Sequence, residues 1–202
     1  MTQTVKFWFD PACPFAWITS RWITEVEKVR DITVDFNVIS LGVLNEEKQD
    51  QNDPETKAIW QGARTAQLVR ERHGADKVAE FYTAAGTRIH NEGYGVERYS
   101  DALPEALNEI GVDDADQILE ASTTDASNEA LRASTKDALS YVGDDVGTPI
   151  IVVGDKGFFG PVLTRIPRGE DAGKLWDGFS ILVEYPAFAE LKRARDGELD
   201  FR

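Results

Sequence analysis

Apolar and polar positions along the chain change period repeatedly, and each change marks a different kind of element. Val5-Lys6-Phe7-Trp8-Phe9 is a short β-prone run closed by the turn signal Asp10-Pro11. From Phe15 the apolar residues Phe15, Ile18, Trp22, Ile23, Val26 and Val29 recur mostly at helical spacing, which predicts a helix from Pro14 to about Arg30. Pro14 suits the first helical position, where a missing N–H costs nothing. Thr33 to Leu41 returns to β character through Val34, Phe36, Val38 and Ile39. Strand, helix, strand is a βαβ unit with a parallel crossover.

From Pro54 to Tyr141 the pattern is helical almost throughout. It predicts helices at 54–73, 76–91, 100–110, 113–122 and 125–142, broken near Gly74, Gly93, Gly95 and Gly111 and at Thr123-Thr124. Ser100, Asp113 and Asp125 are the expected N-caps. At Thr148-Pro149-Ile150-Ile151-Val152-Val153 the β signal returns, followed by Gly154-Asp155-Lys156-Gly157 and Phe158-Phe159. This predicts a hairpin with a four-residue loop, residues 154–157. Residues 169–195 read as two amphipathic helices broken near Tyr185-Pro186. The order β-α-β, long helical stretch, β-β-α is that of an α/β thioredoxin fold carrying a helical insertion. The expected division is 1–45 plus 146–202 for the thioredoxin-fold domain and 46–145 for the inserted helical domain.

Charge narrows the partners. The chain has 202 residues, with 22 Lys+Arg against 36 Asp+Glu, a formal net charge of −14. Such an acidic surface argues against nucleic acid and against an anionic membrane as main partner. No apolar run approaches the roughly 20 residues of a bilayer span. Met1-Thr2-Gln3-Thr4-Val5-Lys6 leads straight into the first strand, without a signal-peptide core, so the expected location is cytoplasmic. Oligomeric state leaves no trace in the sequence.

Cysteine usage narrows the chemistry. Cys13 is the single cysteine, so no internal disulfide forms, and two histidines, His73 and His90, are too few to complete a structural zinc site. No metal and no tightly bound cofactor is expected. A lone cytosolic cysteine is often a small buried hydrophobe. Cys13, however, stands between a strand and a helix opened by Pro14, where unpaired amides and the helix dipole favour an anion. The expectation is a thiolate with a pKa below that of free cysteine.

Cys13-Pro14-Phe15-Ala16 has the shape of a Cys-x-x-Cys redox motif with its last cysteine replaced. The run Phe7-Trp8-Phe9-Asp10-Pro11-Ala12-Cys13-Pro14-Phe15-Ala16-Trp17 resembles the active-site entry of the DsbA family. More narrowly, the chain resembles the actinobacterial mycothiol-dependent reductases, a branch with nitroreductase and mycoredoxin-like members. The likeness continues through Ile18-Thr19-Ser20-Arg21-Trp22, Ser40-Leu41, Leu44-Asn45-Glu46, Arg88-Ile89-His90-Asn91, Val146-Gly147-Thr148-Pro149 and Phe158-Phe159-Gly160-Pro161-Val162-Leu163. It implies a thioredoxin fold with a helical insertion and thiol–disulfide or mycothiol-linked reduction, with mycothiol as cosubstrate. It also implies a cis-proline loop, Thr148-Pro149, opposite the nucleophile. Members of this branch generally carry a second cysteine where this chain has Ala16. With Ala16 the resolving thiol must come from outside. A natural monothiol protein and a substitution made to trap the site both remain open.

Other residues carry weaker expectations. Phe15 and Trp17 flank the thiol as an apolar substrate wall, although Trp17 suits the core equally. Asn45 follows a strand end on the Cys13 side and is a candidate polar contact. His90 is either a proton shuttle or a structural hydrogen-bond partner. Arg165 and Arg168 either meet an anionic cosubstrate or are simply solvated.

The leading expectation is a monothiol thiol–disulfide oxidoreductase acting through Cys13, with Pro14 and Ala16 completing the catalytic motif. Phe15, Trp17, Asn45, Thr148 and Pro149 are its expected substrate contacts. Mycothiol and disulfide or mycothiolated proteins are its partners, and nitro-compound reduction belongs to the dithiol form. Two rivals stand beside it. A kappa-type glutathione transferase or isomerase would usually carry Ser at the nucleophile position, and a non-catalytic binding module would show a thiol of ordinary or high pKa.

Overall fold

The computed structural model describes residues 2–195 and 197–202. A four-stranded sheet is built from β1 (Gln3–Phe9), β2 (Ile32–Val38), β3 (Ile150–Val153) and β4 (Lys156–Phe159), in the order β2-β1-β3-β4. β1 pairs parallel with β2 and antiparallel with β3, while β3 and β4 form an antiparallel hairpin. β1 is therefore an interior strand, and both its faces are covered. Val5, Phe7 and Phe9 point into the main core; Trp8 faces the other way, packed with Ile39, Ala138, Ile150 and Val152. A strand covered on both faces reads as a nearly unbroken apolar run, as β1 does.

Helix α1 (Pro14–Val26) crosses from β1 to β2 and packs against α7 (Gly169–Glu184), where Trp22 Nε1 donates to the Ala172 carbonyl at 3.1 Å. α2 (Leu41–Leu44), α3 (Pro54–Gly86), α4 (Tyr99–Glu109), α5 (Ala115–Ser122) and α6 (Asn128–Ser140) lie between β2 and β3 in the chain. Their apolar faces share the sheet's core, which runs from Phe7 and Phe9 through Val69, Phe81 and Tyr82 to Leu103, Leu107 and Ile118. The architecture is a thioredoxin fold with a helical insertion.

Several elements depart from the sequence reading. α1 stops at Val26, and residues 27–30 form a turn with i→i−3 bonds such as Lys28 N to Glu25 O. The break expected at Gly74 is in place: Gly74 takes the non-helical φ 87° and ψ −176°, so α3 is two helices joined at a kink. The expected caps Ser100, Asp113 and Asp125 do not cap; α4, α5 and α6 begin after Arg98, Asp114 and Ser127, none bonding through its side chain to the first turn. The β3–β4 loop has two residues, because Val153 pairs with Lys156. Gly154, φ +63°, takes its first position, where a type II′ hairpin turn requires positive φ. Finally, the second helix expected before Arg195 is absent. Beyond Pro186 the described residues form neither helix nor strand, apart from a bridge between Arg165 and Asp200. This segment runs back over the sheet, and Phe188 packs on Phe158 at 5.6 Å between ring centroids.

Candidate active site

Cys13 is the N-cap of α1, with φ −84° and ψ 112°, and Pro14 is the first helical residue. The turn 10–13 closes through Cys13 N donating to the Asp10 carbonyl at 3.0 Å. Two groups face the sulfur. Ala16 N donates to Sγ at 3.4 Å, and Sγ–H donates to the Thr148 carbonyl at 3.4 Å. The Thr148–Pro149 peptide is cis, and so is Gly160–Pro161. Thr148 Oγ1 is tied to the Trp8 carbonyl at 3.0 Å, and the Pro149 carbonyl accepts from Gly160 N at 2.8 Å. Strand ends 135 positions apart in the chain thus meet at one sulfur.

The thiol is not the activated thiolate expected from the helix start. Cys13 is 7% exposed, and burial pushes its pKa up to about 11. The Ala16 amide works in the opposite direction, as a helix N-terminus should, and the neighbouring Asp10 charge opposes ionisation. Desolvation is the largest of these effects. In the closed site Cys13 rests as a neutral thiol.

Asp10 is a site residue that the sequence reading passed over as a turn signal. Its carboxylate is buried and accepts from Ala12 N at 2.8 Å and Leu41 N at 2.7 Å. It therefore clamps the Cys13 loop to the start of α2. Burial raises its pKa to about 7 in spite of the two amides. The clue lay in the sequence, since an acid at the end of an apolar strand has nowhere to go but inside.

Trp17 is a core residue, 2% exposed, rather than an open wall. Its ring can lie where it does because Gly86 is opposite: a Cβ on Gly86 would come within 2.3 Å of the indole. Trp17 Nε1 donates to Asn91 Oδ1 at 2.9 Å, and the His90 ring stacks on the indole at 5.8 Å. His90 and Asn91 belong to a single π-helical turn, Thr87–Asn91, that ends α3; such turns often occur where function needs an irregular helix. His90 Nε2 meets the Pro11 carbonyl at 2.9 Å, so that nitrogen carries the proton. Burial lowers the His90 pKa to about 4, and the ring is neutral at physiological pH. Of the two readings of His90, the structural hydrogen-bond partner is the one in place.

The remaining candidates divide. Phe15, partly buried, stays at the mouth of the site. Asn45 turns back to its own helix, its Nδ2 donating to the Leu41 carbonyl at 2.9 Å. Arg168 reaches Glu25 at 3.6 Å, and exposed Arg165 joins Asp200 through a backbone bridge, so neither is placed at Cys13. Behind the thiol, the Tyr82 ring stacks on Phe9 at 3.7 Å and meets Trp17 edge-on at 5.4 Å. The Tyr82 and Tyr99 hydroxyls are buried without a protein partner. Among the described residues no group of His, Cys, Asp or Glu is gathered to hold a metal ion.

Solved structures share this architecture. The fold matches a 2-hydroxychromene-2-carboxylate isomerase with TM-score 0.60 at 15% identity, covering 89% of this chain and 94% of that one. It matches the cytosolic disulfide reductase DsbM from Pseudomonas aeruginosa, solved with GSH, with TM-score 0.54 at 12% identity, covering 88% and 99%. A probable DsbA oxidoreductase from Streptomyces coelicolor matches with TM-score 0.53 at 16% identity, covering 96% and 97%. At these identities the likeness is one of fold. In sequence, the uncharacterized protein Rv2286c of Mycobacterium tuberculosis is 30% identical over 195 residues, 95% of this chain and 82% of that protein. Residues 12–193, from the Cys13 loop to the segment beyond α7, match the model of the mycothiol-dependent nitroreductase Rv2466c, and the chain belongs to that Rv2466c-like family.

Proposed function

We propose that the protein is a thiol–disulfide oxidoreductase working by a monothiol mechanism, with Cys13 as nucleophile and mycothiol as the external thiol. The observation that carries this reading is the placement of Cys13 Sγ between the Ala16 amide and the Thr148 carbonyl. A disulfide bound along the Thr148-Pro149 segment would present a sulfur to Sγ. Cys13 gives up its proton and attacks that sulfur; a new S–S bond forms to Cys13, the old one breaks, and the departing thiolate takes up a proton. The thiolate of a second, external thiol then attacks the mixed disulfide and restores Cys13. Ala16 offers no internal thiol, so each turnover consumes external thiol, and reduction of nitro compounds belongs to dithiol relatives. Phe15 at the mouth, with Thr148 and Pro149, would contact the substrate. Dependence on a reduced small thiol agrees with a cytoplasmic setting. Among the described residues no helix is long and apolar enough to cross a membrane.

The buried, neutral state of Cys13 favours one other reading, a binding module whose thiol takes no part in chemistry. Intact mass after incubation with oxidised mycothiol separates the two. A single adduct that disappears in Cys13→Ser and is released by reduced mycothiol is expected of the oxidoreductase. An unmodified protein after prolonged incubation would overturn that reading.

A further inference from the structure

The segment after α7 ends at the active site, and it brings a charge there. Arg195 lies with its guanidinium carbon 5.3 Å from the centre of the Phe15 ring, two residues beyond Cys13. Asp200 and Phe201 are fastened down. Asp200 N donates to the Thr164 carbonyl at 2.8 Å, and Asn91 Nδ2 donates to the Phe201 carbonyl at 2.7 Å. The Phe201 ring packs on His90 at 5.7 Å. Through Asn91 and His90 these anchors reach Trp17 and the Pro11 carbonyl, so the segment is docked on the residues that shape the Cys13 loop.

The site needs a cation. A thiolate at Cys13 would form in a desolvated pocket beside Asp10, on a chain of net charge −14. The Ala16 and Phe15 amides favour the anion, and the Arg195 charge adds to them. The lysines and arginines nearer in sequence have other partners: Lys6 lies over the Trp8 and Tyr141 rings, Arg21 stacks on Trp17 and bonds Ser20 and Thr83, and Lys28 pairs with Glu25.

We propose that Arg195 is a positioning and charge-stabilising residue of the active site: docked on Phe15, it stabilises the Cys13 thiolate and draws the attacking external thiolate to the sulfur. This rests on the thiol chemistry proposed above. It makes Arg195 and residues 197–202 a part of the site that docking completes, with Phe201 as the anchor. Arg195 is exposed, so its replacement leaves the core untouched.

The test follows Cys13 alkylation against pH with two reagents of similar size, neutral iodoacetamide and anionic iodoacetate. In Arg195→Ala the rate with iodoacetamide at neutral pH is expected to fall about threefold to tenfold, as for one partly screened charge at close range. The iodoacetate rate should fall further, and the parent's loss of rate with added salt should largely vanish. Arg195→Lys should retain most of the effect, and Phe201→Ala should reproduce part of the loss by freeing the segment. An Arg195→Ala protein with the parent's pH profile, reagent preference and salt response would overturn the proposal. Because alkylation needs no disulfide substrate, that outcome is distinct from failure of the parent to take a mycothiol adduct, which would overturn the proposed function instead.

Discussion

The Asp10 carboxylate, closed off from solvent, accepts the Leu41 amide at 2.7 Å. Its other oxygen holds Ala12 N, so one side chain joins the Cys13 loop to the first turn after β2. Asp10→Ala leaves two partly buried amides without their acceptor, and about 1–3 kcal/mol of stability in all should be lost. Asp10→Asn removes the charge that opposes Cys13 ionisation and keeps one of the two acceptors, at the cost of one amide facing an NH2 group. Its Cys13 should therefore ionise at lower pH than the parent's, seen as a downward shift of the alkylation midpoint. An unchanged midpoint would show that the Asp10 charge is not felt at the sulfur.

Asp10 and His90 oppose one another in the pH dependence of stability. The His90 pKa falls from 6.5 to about 4 on folding, so between those values the unfolded chain holds the extra proton. Its contribution is present above 6.5 and is lost as pH falls through 4. The Asp10 pKa rises from 3.8 to about 7, and here the folded protein holds the extra proton. That contribution is present below 3.8 and is lost as pH rises through 7. Over about pH 4 to 6.5 the two slopes cancel in part. His90→Gln should expose the Asp10 slope, so that urea stability declines from pH 4 to 7 more steeply than in the parent. A parallel pair of stability curves would show that His90 does not change protonation on folding.

The position of the site was legible because it rests on local rules. A β-prone run, a turn, Cys13 and a helix-opening Pro14 sit within a dozen residues, and Thr148-Pro149 opens the next β signal. The state of the thiol was not legible. A helix start lowers a cysteine pKa wherever solvent reaches it, but here Thr148 and the walls built by Trp17, Tyr82 and Phe15 bury the sulfur, and those contacts depend on tertiary packing. Asp10 was hidden behind its other role, as half of an Asp-Pro turn signal. Arg195 was hidden because its apolar neighbours Phe188 and Leu191 suggested a helix; Phe188 instead packs on Phe158, while Leu191 remains exposed. The missed caps have a similar cause, since α4 and α6 begin where their apolar faces meet α3, without a side-chain cap.

Gly86 should be intolerant of even one methyl group. A Cβ there would stand 2.3 Å from the Trp17 indole, whose own position is fixed by Asn91, His90 and Tyr82. Gly86→Ala should cost about 1–3 kcal/mol, the usual range for overpacking. It should also slow Cys13 alkylation, because Trp17 lies on the helix turn that follows the thiol. Thermal unfolding and iodoacetamide kinetics on the same sample check both parts. A variant as stable as the parent would mean that the indole has room to move.

Ala16→Cys tests whether the site is arranged for dithiol exchange. Ala16 is buried, and its amide already donates to Cys13 Sγ at 3.4 Å, which puts the two residues on adjoining turns of the same helix start. Residues three apart in a helix have Cα atoms about 5 Å apart, inside the range that a disulfide spans. The introduced sulfur adds little volume, so the fold should be kept. In the parent, a mixed disulfide on Cys13 has no internal partner, and its release should rise in proportion to the external thiol concentration. In Ala16→Cys, release should become first order and independent of added thiol, leaving a 13–16 disulfide two mass units lighter than the dithiol. The readout is the intact mass of a preformed adduct, followed over time with and without external thiol. An adduct in Ala16→Cys as long-lived as the parent's would show that the helix start does not bring a thiol at 16 into line with the Cys13 sulfur. The Cys-x-x-Cys geometry that residues 13–16 resemble would then not extend to this chain.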